Sequence, residues 1–440
     1  MSTVPADVDT DRQPPLAIPL WHFVIALAFL LVGTGVGLGD ALGLVPGLAR
    51  LAHLHLLLVG FVCLTIAGAM TQFVPVWSGT ALHSRRLARA QLWLVGGGLL
   101  GLAAGFLSNR LAVLPPAGAL VLLGFWTLAY NVGRTLAAAR PLDVTERHFA
   151  VALGCFVALT PLGLLLATGF VSPVFDSLPV TRGGVVGAHA TLAVFGAVLT
   201  TVFGALYQLV PMFGQTELDG LDRRLQRVET VAYPVSVVLL ALARLVGSAP
   251  LARVGAVLLL TSVLAFILVL ARLLADARAA RTPMLVRYAL LVPTALAWAA
   301  LTVPAWLRAP LDATTRLGAP DAGHLLALTL LFVLVGTLYH VVPFLVWVHR
   351  YSDRLGFEDV PMIDDLYDGR LARADLYLVA GGGALLVAGD LFARPGLVVV
   401  GGGALGLGLV TVAANLSLVI WRHAPGLSGR GPAFGSTRGE

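Results

Sequence analysis

The sequence has no lysine, only two cysteines and few charged residues. All 29 basic residues are arginine, and charged residues make up 12% of the 440 residues. Cys63 and Cys155 both lie in apolar stretches, where a thiol packs as a small hydrophobic side chain. The pI of about 9.8 reflects arginines in the loops between such stretches, so it does not indicate nucleic-acid binding.

Long apolar runs dominate what is present. Hydrophobic residues make up 58% of the chain, and the mean hydropathy is +0.90, which is typical of a polytopic membrane protein. No cleavable signal peptide is apparent, because the polar N-terminus leads into the first span without a small-residue cleavage site. We expect an all-α bundle of about twelve transmembrane helices, near 19–38, 53–77, 91–108, 113–133, 149–170, 187–212, 229–247, 251–271, 285–306, 323–348, 374–392 and 396–421.

Arginines are divided unevenly between the two sets of loops. Those after even-numbered spans are Arg85, Arg86, Arg89, Arg134, Arg140, Arg147, Arg223, Arg224, Arg227, Arg272, Arg278, Arg281, Arg350, Arg354, Arg370 and Arg373. The opposite loops carry fewer: Arg50, Arg110, Arg182, Arg253, Arg308, Arg316 and Arg394. The positive-inside rule therefore predicts that both termini are cytoplasmic and that even-numbered spans begin at the outer face of the cell membrane.

The second span begins with His53 and His55. A polar, metal-binding side chain inside lipid is costly, so two of them together indicate a function. Residues two apart on a helix point about 200° apart. The two histidines therefore cannot share one metal, but each can offer a ring nitrogen to a different neighbour. This arrangement suits two metal-centred cofactors side by side.

The same motif recurs twice more. Segments 53–77 and 189–213 align without a gap, and each begins with a histidine that precedes a proline by 22 residues. A third copy, 324–347, ends in a similar Val-Val-Pro sequence. Aligned on Pro343, its His324 lies three residues late. A repeat of this kind places a binding site where the repeats meet, near a pseudo-symmetry axis.

The motif helices are the second, sixth and tenth, so the repeated unit is four helices. We expect units at approximately 19–148, 149–283 and 284–421, with a polar N-terminal tail at 1–18 and a cytoplasmic C-terminal tail at 422–440. Together the three units form a single transmembrane domain with pseudo-threefold organisation.

This layout resembles subunit I of the heme-copper oxidase superfamily, with the closest motif match to C-type oxidases and nitric oxide reductases. Their tenth helix opens with His-x-His, then Gly-Trp-Val, a glycine eight residues on and Tyr-x-Leu-Val-Pro. Residues 53–55, 60–62, 68 and 72–75 follow that pattern at that spacing, although here the motif lies on the second helix. The similarity covers the three motif helices and the twelve-helix layout.

The resemblance implies one or two hemes. By residue-to-residue transfer, His53 would hold a high-spin, five-coordinate heme and His55 a low-spin, six-coordinate heme. The copy that begins at His189 is similar to the family's second helix, so His189 would be the other low-spin ligand. The alternative is that His55 and His189 are interfacial histidines with ordinary hydrogen bonds.

Arginines near these histidines would suit heme propionates, because a guanidinium forms paired hydrogen bonds with a carboxylate. Arg50 lies just before the His-x-His motif, and Arg182 and Arg308 are in neighbouring outer loops. Arg50 can equally be an interfacial anchor.

Copper is indicated more weakly than heme. The family's copper site needs a histidine on the sixth helix and a His-His pair on the seventh, and the seventh span here has no histidine. His324 is an axial or copper ligand candidate. An oxidoreductase activity, with electrons passed to O2 or NO, is therefore an open question.

Two further interpretations remain. The ending Val-Pro-x-Trp-x-Gly at 74–79 is similar to the NnrS family of heme- and copper-containing membrane proteins of the nitric oxide response. A non-heme transporter or sensor is the other alternative. For the oxidase-like interpretation, the expected partner is a small cytochrome or cupredoxin subunit or donor, in addition to membrane lipid.

The remaining histidines carry weaker expectations. His340, beside Tyr339, is either a packing residue or part of a proton relay. The others are expected at span ends or in loops, in contact with solvent or the membrane interface: His22, His83, His148, His349 and His423.

Overall fold

The structure, a computed structural model, describes residues 14–424. Its regular elements are helices, and twelve of those described are long and apolar enough to cross a membrane, so the prediction of an all-α polytopic bundle is confirmed. They are α1 (Ala17–Ala41), α2 (Ala49–Ser78), α3 (Arg85–Leu107), α4 (Leu114–Ala138), α5 (Val144–Thr168), α6 (Arg182–Gly214), α7 (Gly220–Leu245), α8 (Ala249–Ala275), α9 (Pro283–Arg308), α10 (Gly323–Arg350), α11 (Gly369–Leu391) and α12 (Pro395–His423). Most of the predicted tails, 1–13 and 425–440, lies outside the described residues.

Two predicted spans begin too late in the chain. The third was expected at 91–108 and the seventh at 229–247, whereas α3 begins at Arg85 and α7 at Gly220. Their first turns are rich in arginine, which hydropathy excludes from a span. Capping explains why these turns are helical: the side chains of Ser84 and Asp219 accept backbone N–H bonds of 3.3 and 2.9 Å at the start of each helix.

The helices pack with a period of four. In each unit the second helix packs against the first, third and fourth, so α2, α6 and α10 hold corresponding positions. The fourth helix of each unit packs against the first helix of the next, and α12 packs against α1 to close the ring. Burial agrees with this arrangement, because the central windows of α2, α6 and α10 are 67%, 83% and 78% buried and no other span exceeds 56%. These three are the inner helices.

Two of the inner helices contain a π-helical segment at the same place. It covers Leu56–Cys63 in α2 and Leu192–Leu199 in α6, and α10 is α-helical throughout. A π turn accommodates an extra residue relative to an α-helix. Allowing for it, His324 on α10 corresponds to His55 rather than to His53. The late position of His324 in the sequence alignment therefore has a structural reason.

Candidate functional site

The inner helices all begin at one end of the bundle, which we call the histidine side. The end at which they finish, near Pro75, Pro211 and Pro343, is the proline side. His53, His55, His189 and His324 are all on the histidine side, within the first turns of α2, α6 and α10. The sequence prediction that these four side chains share one face of the membrane domain agrees with this placement.

His53 and His189 occupy equivalent environments. His53 Nδ1 is 2.8 Å from the carbonyl oxygen of Gly33 on α1, and His189 Nδ1 is 3.1 Å from that of Leu159 on α5. A glycine four residues beyond each carbonyl lies against the ring: a Cβ built on Gly37 would be 2.4 Å from His53, and one on Gly163 would be 2.9 Å from His189. α2 and α6 thus direct this position towards the first helix of their own unit.

His55 points the other way, as the 200° separation requires. Its ring centroid is 5.4 Å from that of Phe106 on α3, and its Nδ1 bonds to the carbonyl oxygen of Leu51 at 2.8 Å. The corresponding residue of α6 is Thr191, whose hydroxyl is 2.8 Å from Arg244 on α7. In the third unit His324 pairs with Asp390 on α11. This second position therefore always faces the third helix of its own unit.

These directions divide the histidine side into three intervals. The first interval lies between α2 and α6 and is bounded by α3, α4 and α5. The second lies between α6 and α10, bounded by α7, α8 and α9. The third lies between α10 and α2, bounded by α11, α12 and α1.

His55 and His189 both face the first interval. His55 is directed from α2 towards α3 and His189 from α6 towards α5, and all four helices border this interval. Both residues are only partly buried and keep some accessible surface. This is the pair that the sequence selected as axial ligands of one cofactor.

Hydrogen bonding fixes the tautomer of both rings. A carbonyl oxygen only accepts, so Nδ1 of His55 and of His189 carries the hydrogen. The Nε2 lone pair of each ring is then available, and no hydrogen bond to either Nε2 is formed within the described part of the chain. A histidine that donates through Nδ1 to a carbonyl and offers Nε2 is the usual arrangement of a metal ligand.

An aromatic and cationic group borders the first interval. Phe106 lies edge-on to Phe170, with centroids 6.3 Å apart, and the Arg182 guanidinium lies 4.4 Å above the Phe170 ring. Arg182 also donates to the carbonyl oxygen of Leu166 at 3.2 Å. Of the three arginines suggested by the sequence, Arg182 is the one that the structure places beside this interval. Arg50 and Arg308 are exposed.

The third interval receives His53 from α2 and His324 from α10. Both rings are partly accessible. Asp390 is within hydrogen-bonding distance of His324 Nδ1, so a carboxylate orients this ring, whereas a backbone carbonyl orients His53. The sequence analysis gave His53 and His324 separate roles. In the fold, both side chains point towards the same interval.

The second interval contains no histidine from the inner helices and is filled with other side chains. Arg244, only 4% exposed, donates to Thr191 and to the carbonyl oxygens of Arg316 and Pro310. Its guanidinium lies 5.2 Å from the Trp306 ring centroid. The three intervals are therefore not chemically equivalent.

One surface cavity lies away from the candidate histidines. It has a volume of about 280 Å³, opens between α4 and α5, and is lined mainly by small and apolar residues together with Arg140. None of the candidate histidines lines it, so it is not part of the histidine site.

Sequence reasoning missed a second set of polar residues. On the proline side, each unit buries one polar residue from each of its first three helices, and we call these sets the first, second and third trio. They are His22, Thr71 and Gln91; His148, Tyr207 and Glu229; and Arg287, Tyr339 and Asp375. A signal was present in the sequence, because 86–98 and 370–382 are nearly identical and align Gln91 with Asp375.

This set corrects two expectations about histidines. His22 and His148 were expected at the membrane interface or in solvent, but they are 0% and 2% exposed. Each donates from Nδ1 to the carbonyl four residues earlier, at 2.8 and 2.7 Å, and uses Nε2 within its trio. Proximity to a helix end in the sequence does not imply exposure when the end packs inside a ring of twelve helices.

Comparison with known proteins gave no matching family model and no match among curated proteins. Within residues 14–424, no group of three or more histidine, cysteine, aspartate or glutamate side chains is placed to hold a metal ion. His324 with Asp390 supplies two such side chains, so the copper expectation stays a prediction.

Proposed function

We propose that this chain is a heme-binding integral membrane protein that transfers electrons, resembling subunit I of oxidases and nitric oxide reductases. The observation that carries the proposal is the pair His55 and His189. The two imidazoles enter the first interval from neighbouring inner helices, and Nδ1 of each is bonded to a backbone carbonyl. A bis-histidine iron porphyrin needs two such rings.

The residues fit this cofactor. Heme iron bound by two neutral imidazoles supplies reversible one-electron transfer. Leu51 and Leu159 would hold the two rings in the tautomer that leaves Nε2 free. Phe106 provides an apolar wall beside His55, and Arg182 supplies a guanidinium near the bundle end for a carboxylate.

The third interval is the place for a second heme or a copper ion. His53 and His324 face it from opposite sides, and each ring has an oxygen partner at Nδ1. The bond from His324 to Asp390 resembles the carboxylate–histidine pairs that orient metal ligands. Two separate cofactors held by the two faces of α2 would explain why histidines stand two residues apart there.

The arginine distribution sets the orientation that we propose. Loops on the proline side carry most of the arginines, which places that side and both termini in the cytoplasm of a cell whose plasma membrane holds the protein. The histidine side then faces outward. An electron donor of the small cytochrome or cupredoxin type would dock there, and the acceptor would be a small molecule such as O2 or NO.

Visible spectroscopy of protein purified from heme-replete cells tests the proposal. We expect a Soret band and, in reduced-minus-oxidised spectra, a low-spin α-band. Chemical extraction should confirm a porphyrin stoichiometry of one or two per chain. Purified, folded protein without these bands would contradict the proposal, and substrate-dependent flux by such heme-free protein would instead support a transporter.

A further inference from the structure

The three trios on the proline side share a position in the fold but differ in charge. All nine side chains are at most 6% exposed. The alignment that pairs the inner helices also pairs Thr71 with Tyr207 and Tyr339. Because burial makes an unpaired charge costly, each trio must be close to neutral, and the three sets reach neutrality in different ways.

The first trio is neutral in all its groups. His22 Nδ1 donates to the carbonyl oxygen of Ile18 at 2.8 Å, so Nε2 is the acceptor. The Gln91 amide donates to that Nε2 at 3.4 Å and to Thr71 Oγ1 at 3.2 Å. No ionised group is required, and no proton beyond those of the neutral side chains is held.

The third trio is a permanent ion pair. Arg287 donates to a carboxylate oxygen of Asp375 and, at 3.0 Å, to the carbonyl oxygen of Ala372. The Tyr339 hydroxyl donates to the other oxygen of Asp375 and accepts from Asn415 at 3.2 Å. The guanidinium is always charged, so the carboxylate is neutralised without taking up a proton.

The second trio has neither an all-neutral set of hydrogen bonds nor a permanent ion pair. His148 Nδ1 donates to the carbonyl oxygen of Val144 at 2.7 Å, so this nitrogen carries a hydrogen. His148 Nε2 lies 3.2 Å from Glu229 Oε2, and the Tyr207 hydroxyl donates to that same oxygen at 3.1 Å. If Nε2 and the carboxyl both lacked a proton, a lone pair would face a buried anion.

We propose that the second trio is a proton-binding site that holds one exchangeable proton between His148 Nε2 and Glu229. The proton is bound either as imidazolium beside carboxylate or as imidazole beside carboxylic acid, and the net charge is zero in both cases. Releasing it breaks the Nε2···H···O link and leaves one negative charge inside the bundle. This inference does not depend on heme.

None of the described residues facing Glu229 is a permanent cation that could replace the proton. The ionisable groups facing Glu229 are His148 on α5, Tyr207 on α6 and Tyr233 on its own helix, whose hydroxyl donates to the carbonyl oxygen of Phe195 at 2.8 Å. Asp222, earlier on α7, is already paired with Arg272 of α8. Neither tyrosine hydroxyl is a charged donor at neutral pH.

The bound proton makes folding stability depend on pH. In an unfolded chain a histidine titrates near pH ~6.5 and a glutamate near ~4.3, so above pH ~6.5 the unfolded pair holds no proton. The proposal requires the folded pair to hold one. Stability therefore falls as pH rises in this range, and the unfolding equilibrium constant increases about tenfold per pH unit from this site.

Variants that copy the other two trios isolate this contribution. His148→Arg gives the second trio the ion pair of the third, and Glu229→Gln gives it the neutral pair of the first. Arg287→His is the reciprocal change, which gives the third trio a histidine–carboxylate pair. Reversible unfolding of the full chain in mixed micelles, followed by fluorescence of its eight tryptophans at pH 7, 8 and 9, provides the equilibrium constants.

We expect wild-type unfolding constants to rise about tenfold per pH unit more steeply than those of His148→Arg and Glu229→Gln, and those of Arg287→His to rise more steeply still. Because the two changes at the second trio differ in size and charge, either one that folds decides the matter. Parallel pH profiles for wild type and the folded variants would overturn the proposal. Heme spectra play no part in this readout, so it can fail while the proposed function stands.

Discussion

The two ends of the bundle use the same threefold repeat for opposite purposes. On the proline side, each trio joins three helices through hydrogen bonds between side chains that are at most 6% exposed. On the histidine side, His53, His55 and His189 each use one ring nitrogen for a backbone carbonyl, and the other nitrogen has no bond within the described residues.

On the proposed function, this difference assigns cofactor binding to the histidine side. Buried polar groups that hydrogen-bond to one another stabilise one arrangement of helices, although Gln91 Oε1 in the first trio has no partner among the described residues. Oriented rings with a free nitrogen keep the capacity to bind a ligand. We therefore expect substitutions on the histidine side to remove cofactor and leave folding nearly intact, and substitutions on the proline side to do the reverse.

The largest effect should come from the pair in the first interval. His55→Ala and His189→Ala should each abolish the same low-spin absorption band, because each removes one of two axial ligands. His53→Ala should leave that band in place, since His53 faces the third interval. Reduced-minus-oxidised spectra and porphyrin content of the purified variants provide the measurement.

His83→Ala is the matched control for these variants, because His83 is exposed and lies on the proline side. It should leave the spectrum and heme content unchanged. A low-spin band that survives in either His55→Ala or His189→Ala would show that the two rings do not share a cofactor.

The sequence predicted more of the histidine side than of the proline side, for a physical reason. Histidines at fixed distances from repeated prolines are visible as a motif, and helix periodicity gives the opposite directions of His53 and His55. The trios do not form a recognisable sequence motif, because His148, Tyr207 and Glu229 come from three separate helices. Their partnership depends on packing, and their chemical types change from unit to unit.

The register of the third motif copy was the other feature that the sequence could not predict. Sequence alignment counts residues, so it placed His324 out of step with the other two copies. The π-helical segments in α2 and α6 change the count without changing the position in space. Nothing in the apolar sequence of Leu56–Cys63 indicates this geometry, which depends on how the helix packs.

The proline side should dominate stability. Arg287→Met leaves the fully buried carboxylate of Asp375 without its permanent cation, and breaking a buried pair in this way costs roughly 3–5 kcal/mol. The double variant Arg287→Met, Asp375→Leu should recover most of the loss, since no unpaired charge remains. Reversible unfolding in mixed micelles measures both, together with the heme band, which should persist in any folded fraction.

Arg354→Met serves as the control for removing an arginine from an ion pair. Arg354 and Glu358 form an exposed pair at 3.1 Å, for which a cost of about 1 kcal/mol or less is expected. If Arg287→Met costs no more than Arg354→Met, the buried pair does not stabilise the bundle as described.

A smaller effect should follow from crowding His189. In Gly163→Ala the new Cβ would lie 2.9 Å from His189 Cε1, so the ring must turn and weaken its 3.1 Å bond to Leu159. Changes to groups that orient a metal ligand typically cost 10–100-fold in affinity, and we expect about tenfold weaker heme retention with a shifted band. Heme loss to an apoprotein acceptor measures this.

Two glycine variants test whether the effect is local. Gly154→Ala is on the same helix, but its Cβ would meet nothing within 4 Å, so heme retention should not change. Gly37→Ala would crowd His53 at 2.4 Å and should spare the low-spin band. Equal losses in all three variants would mean that helix packing in general, rather than ring orientation, controls the band.

The smallest effect concerns the folding stability of the proline side at acid pH. The carboxylate of Asp368 caps α11 by accepting backbone N–H bonds from Arg370 and Leu371 at 2.7 and 3.2 Å, and these bonds lower the pKa of Asp368 below its usual value. A lowered pKa means that the folded state favours the ionised form, so this stabilisation is complete above pH ~4 and is lost as pH falls through the lower folded value.

Asp368→Asn keeps a capping oxygen that does not titrate, and its stability should fall slightly less than that of wild type between pH 5 and 3. Unfolding midpoints across that range, compared at equal heme occupancy, measure the difference. Identical acid profiles for the two proteins would show that the cap's charge contributes nothing to holding the proline side together.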